Sequence, residues 1–171
     1  SAEYAIVGWL VSYFQDTEVL SASWSQMMNS LLWLVIFCGR MIGAAITGKI
    51  SRSRLLLMDG AGFFAFFLVM FFSRNPILIV LGLMGVGLFM ATIYPTAFAF
   101  GSDCIRGNDL GCSIMIFTGS AGGIVTPALV GLVAERAGIR AGMGLVAVFT
   151  ALLLLCIVLS VISVKTRKEG A

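Results

Sequence analysis

The 171-residue sequence contains no histidine. That absence removes Ser-His-Asp chemistry, imidazole metal ligands and histidine proton relays together. Charge is scarce as well. Asp, Glu, Lys and Arg make up 11% of residues and leave a net charge of +3, against about 25% charged residues in a globular chain. Basic residues this few and scattered build no nucleic-acid surface, so no nucleic-acid partner is expected. Cys38, Cys104, Cys112 and Cys156 form no Cys-x-x-Cys pair, and three lie in apolar runs where a thiol acts as a small hydrophobe. No metal site or disulfide is expected. No phosphate-binding glycine loop follows a strand, and no nucleophile stands beside a base. Neither an enzyme nor a cofactor is expected.

What the chain has is apolar surface. Apolar residues make up 60%, and mean hydropathy is +1.06. A core of this size cannot hide so much, so the expected partner is a lipid bilayer. A helix needs about 20 largely apolar residues to cross the hydrocarbon. Five such spans are predicted, at about 27–48, 55–72, 77–100, 110–134 and 141–164. Residues 1–14 read as the end of a further helix whose start is missing. Continuous apolar runs, rather than alternating ten-residue strands, predict an all-α polytopic bundle.

The spans alternate sides, which allows the basic residues to be summed. Lys49, Arg52, Arg54, Arg106, Lys165, Arg167 and Lys168 fall on one side; Arg74, Arg136 and Arg140 fall on the other. The positive-inside rule then puts the 49–54 loop and the C-terminus in the cytoplasm. Phe37-x-Gly39-x3-Gly43 recurs as Phe117-x-Gly119-x3-Gly123, three helices later. Two three-helix units are a common building plan of secondary transporters.

The second predicted helix is the most informative. Gln26, Asn29, Ser30, Trp33, Phe37 and Arg40 recur every three or four residues and share one face. Lipid does not satisfy amide groups, so such a face meets protein or water. Asn29 and Trp33 are candidates to bind a polar solute; the alternative is that Gln26 and Asn29 cap the helix at the interface. Arg40 and Asp59 lie at membrane depth, where a lone charge is costly. Arg40 is expected to pair with Asp59, or with an acid outside this sequence, as a cytoplasmic latch; the alternative is snorkelling to the headgroups. Glu3 is the only acid in its span and precedes Trp9 and Tyr13. In the fourth helix Thr92 and Thr96 share one face, and Tyr94 and Phe98 another. Pro95 and Pro127 each remove a helical hydrogen bond, and their functional reading is bending. For the glycines around them, close helix packing is the simpler reading.

Glu3-x5-Trp9-Leu10-x2-Tyr13, Gly39-Arg40-x2-Gly43, Tyr94-Pro95-Thr96 and Gly122-Gly123-x3-Pro127, in that order, resemble major facilitator superfamily transporters. The resemblance covers the whole sequence and is to the C-terminal six-helix half, helices seven to twelve, nearest in look to the fucose permease type of sugar–proton symporter. It implies a missing N-terminal six-helix half, alternating access about a midplane site, and uptake of a sugar or similar small polar solute. It also implies that Glu3, Asn29, Trp33 and Tyr94 are cavity residues and Arg40 a gating residue. Trp9 and Thr92 complete the candidate solute-binding set; Asp59, Pro95 and Pro127 join Arg40 as gating candidates. Export of amphiphilic drugs or metabolites is the rival within transport, and a membrane scaffold the rival outside it. The expected location is the plasma or inner cell membrane.

Overall fold

A computed structural model describes residues 2–16, 21–104 and 109–169. Arg106 lies outside the described residues, as do the side chains of Lys165, Arg167 and Lys168. Six helices follow one another: α1 (Ala2–Asp16), α2 (Ala22–Ile46), α3 (Arg52–Phe72), α4 (Pro76–Cys104), α5 (Asp109–Ala137) and α6 (Ile139–Glu169). All but α1 are long and apolar enough to cross a membrane. The architecture is an all-α bundle of membrane-spanning helices.

The joints are short and locally specified. Between α2 and α3, Gly48 takes φ +99°, a conformation that glycine adopts without steric penalty. Asn75 caps α4, its Oδ1 accepting the Ile77 N–H at 2.9 Å, with Pro76 in the first helical position where no donor is needed. Gly138, at φ +88°, ends α5 by donating to the Ala134 carbonyl at 2.9 Å. It turns the chain directly into α6. A Cβ on Gly142 would stand 2.9 Å from the Val130 carbonyl oxygen, so α5 and α6 cross closely just beyond this turn.

Helix α4 packs on α2 and α3, α1 packs on α5 and α6, and α3 meets α6. Exchanging α1 with α4, α2 with α5 and α3 with α6 maps these contacts onto one another, the relation expected of two three-helix units. The hairpin contacts α1–α2 and α5–α6 have no counterpart as extensive. The repeated Phe-x-Gly-x3-Gly segments fit this exchange. Gly39 and Gly43 of α2 press on α4, Gly123 of α5 presses on Tyr4 of α1, and Phe37 and Phe117 both point outward. Phe14, Leu32, Phe63, Phe67, Leu83 and Met143 fill the core between the helices.

Candidate functional site

Two glycines set the geometry of α2 against α4. A Cβ on Gly39 would lie 2.8 Å from the Ala91 Cβ and 2.9 Å from the Leu88 carbonyl oxygen, and one on Gly43 would run into the Thr92 methyl. Only helices with small residues at the crossing approach this closely. The crossing brings Thr92 over Asp59 of α3. Thr92 Oγ1 donates to Asp59 Oδ2 at 2.7 Å, a bond between two buried side chains. Asp59 is 5% exposed, and a buried polar group is tolerated when it is hydrogen-bonded.

Arg40 does not pair with Asp59, which corrects the expectation above. Its Nη2 lies 3.8 Å from Glu3 Oε1 on α1. The reason is directional. Arg40 follows the exposed face of α2 that carries Trp33 and Phe37, whereas Asp59 is turned inward beneath α4. Glu3 and Arg40 stand 37 residues apart and meet because α1 and α2 form an antiparallel hairpin.

Near the 47–51 turn, α2, α3 and α4 enclose a cavity of about 330 Å³. Arg40, Thr47, Arg52, Thr92, Pro95 and Thr96 are among its lining residues. Arg52 Nη1 donates to the Ala99 carbonyl at 3.3 Å. Pro95 sits inside α4, so the carbonyl of Ala91, itself a lining residue, lacks its helical donor.

The remaining candidates occupy different places. Trp9 packs its ring where a Cβ on Gly131 would stand 2.9 Å away, and its indole N–H donates to the Pro127 carbonyl at 3.2 Å. It therefore ties α1 to α5, using the one donor the indole has. Tyr13 does the same between α1 and α3, donating to the Phe71 carbonyl at 3.2 Å. Asn29 lies two turns beyond the start of α2 and is not a cap. Its Oδ1 is buried without a hydrogen-bond partner among the described residues. Trp33 is 48% exposed and Tyr94 58% exposed. Tyr94 stacks on Phe98 with ring centroids 6.5 Å apart and approaches Gly119 of α5.

The structure thus joins Glu3 to Arg40, Asp59 to Thr92, and Trp9 to Pro127, while Arg40, Thr92 and Pro95 share one cavity. It leaves Trp33 and Tyr94 uncovered. Sequence reasoning missed Thr47 and Arg52 as cavity residues and took Thr96 no further than a shared face with Thr92. The available signal was the threonine spacing in α4 together with a basic loop following Gly43.

Seven curated relatives match at significant similarity. The chain is 25% identical over 112 residues to the mouse major facilitator superfamily domain-containing protein 4A, and 24% identical over the same length to its human counterpart. Each alignment takes in 65% of this chain and 22% of the relative. It is 28% identical over 155 residues to the glucose/mannose transporter GlcP of Bacillus subtilis, which covers 90% of this chain and 36% of that transporter. The chain thus spans well under half the length of the curated relatives it matches. No family model and no solved structure matches. The apolar helices support an integral membrane protein, and the relatives it is similar to are major facilitator superfamily domain-containing proteins and a sugar transporter.

Proposed function

We propose that the chain is the C-terminal six-helix half of a secondary transporter that takes up a sugar or similar small polar solute. Transport proceeds by alternating access, two six-helix halves rocking about a midplane site, and is coupled to protons. The observation that carries this reading is the face of α2. Arg40 lies six residues before the end of that helix with its side chain 60% exposed, in register with Trp33 and Phe37. Hydrocarbon does not accommodate a guanidinium on such a face. Its Nη2 lies 3.8 Å from Glu3, at the start of the neighbouring α1. This face therefore meets water or another part of the protein.

In this reading Trp33 and Tyr94 offer ring faces to the CH face of a sugar, and Asn29 and Glu3 accept hydrogen bonds from its hydroxyls. Thr92 and Trp9 act on the site from behind, through the contacts they make within the bundle. The Arg40–Glu3 pair, the Asp59–Thr92 contact and the interrupted helices at Pro95 and Pro127 are the gating elements. The 49–54 loop and the C-terminus face the cytoplasm of a cell membrane. The likeness to a glucose/mannose transporter over most of the chain supports the sugar class.

The test is uptake of labelled hexoses by cells making the full-length protein, at several external pH values. Uptake should rise as the outside is acidified and fall at least tenfold in Trp33→Ala at equal surface expression. Normal uptake in that variant removes Trp33 from the site. Extrusion of amphiphilic dyes without competition by sugars replaces uptake with export.

A further inference from the structure

The cavity between α2, α3 and α4 shares Arg40 with the exposed face of α2 but is otherwise lined by residues that the solute face does not use. Two guanidinium groups, Arg40 and Arg52, line it, and no acidic side chain does so among the described residues. Asp59 lies behind the wall and is engaged by Thr92. At about 330 Å³ the cavity falls at the small end of the roughly 300–1,000 Å³ typical of ligand sites.

Its polar groups are incompletely used. Arg40 carries five N–H donors, yet its one polar contact among the described residues is the Glu3 carboxyl at 3.8 Å, longer than a hydrogen bond. Thr96 is 8% exposed, lines the cavity, and its hydroxyl makes no hydrogen bond among the described residues. Arg52 is held against α4 through Ala99, which places its charge in the wall. Guanidinium forks match the geometry of tetrahedral oxyanions and desolvate more readily than ammonium groups.

We propose that this cavity is a binding site for a phosphate-type oxyanion, held by Arg40, Arg52 and the Thr96 hydroxyl. A lipid headgroup and a free phosphate ion present the same chemistry here, because the cavity lies at the end of the bundle beside the 47–51 turn. Binding engages Arg40 donors that Glu3 leaves unused, and it requires no transport step.

The experiment uses the full-length protein purified in detergent. Inorganic phosphate is titrated calorimetrically at constant ionic strength, with chloride as the control. In parallel, native mass spectrometry measures retention of phosphatidylglycerol against phosphatidylcholine. Saturable phosphate binding absent with chloride, weakened at least tenfold in Arg40→Gln/Arg52→Gln, identifies a free-anion site. A flat phosphate titration with preferential phosphatidylglycerol retention, reduced tenfold in the same variant, identifies a headgroup site. Ala44→Leu fills the cavity without altering charge and should weaken either ligand equally; it decides the matter if the double variant does not fold. No binding of either ligand, or binding indifferent to the variants that fold, overturns the proposal. Because the readout is binding, a protein that transports nothing still answers the question.

Discussion

The Asp59–Thr92 bond gives a quantitative test of how α3 and α4 are joined. Thr92→Val keeps the shape of the side chain and deletes the donor, leaving Asp59 Oδ2 buried without its partner at 2.7 Å. Hydrogen bonds to ionised groups contribute about 1.5–3 kcal/mol in soluble proteins. Interhelical bonds in membranes average only about 0.6 kcal/mol, with a maximum near 1.7, because the unfolded chain in the bilayer also finds partners. Both side chains are more than nine-tenths buried, so the upper part of the membrane range applies and a coupling of about 1–1.7 kcal/mol is expected. The assay is reversible unfolding in mixed micelles of the parent, Thr92→Val, Asp59→Ala and the double variant. The double variant should be more stable than the sum of the two single losses predicts, since it leaves neither group unpaired. Strict additivity, within the roughly 0.3–0.5 kcal/mol scatter of independent sites, would show that the bond is not made in the folded protein.

Other consequences are as direct. Gly39→Leu drives a side chain into Ala91 and the Leu88 carbonyl, and should destabilise the bundle by about 1–3 kcal/mol, as overpacking does; unchanged unfolding would place the crossing elsewhere. Gly131→Ala puts a methyl 2.9 Å from the rigid Trp9 ring, so the indole must move and its fluorescence should shift, while Gly144→Ala, whose methyl would meet nothing closer than Phe71 at 3.9 Å, leaves it unaltered. Glu3→Gln and Arg40→Gln should alter hexose uptake similarly, and the exchange Glu3→Arg/Arg40→Glu should recover more uptake than either reversed charge alone. Equal impairment in the exchange would separate the two residues.

Much of the architecture was legible because one physical requirement dominates. Apolar runs of 20 or more residues cross a bilayer as helices, so five spans could be read directly, whereas the turns at Gly48 and Gly138 became evident only from their positive φ. Pairings across the bundle were not legible. Arg40 was expected against Asp59 because both are charges at similar depth, but depth does not determine azimuth. Arg40 lies on the outer face of α2 beside α1, and Asp59 faces inward toward Thr92. The Trp9–Pro127 bond joins residues 118 positions apart, and nothing in local periodicity marks which carbonyl an indole reaches. The two-arginine cavity escaped notice because Thr47, Arg52 and Thr96 come from three segments, and each alone reads as loop or helix surface.

The central claim, that the uncovered face of α2 borders a solute pathway, has a direct test in thiol chemistry. Cysteine is placed at Trp33 in a full-length background lacking Cys38, Cys104, Cys112 and Cys156, and at Leu155, which is exposed on α6, as a lipid-side control. A charged, membrane-impermeant maleimide should label position 33 and not position 155, and a transported hexose should slow the labelling at 33. Labelling absent at 33, or equal at both positions and indifferent to sugar, would contradict the account.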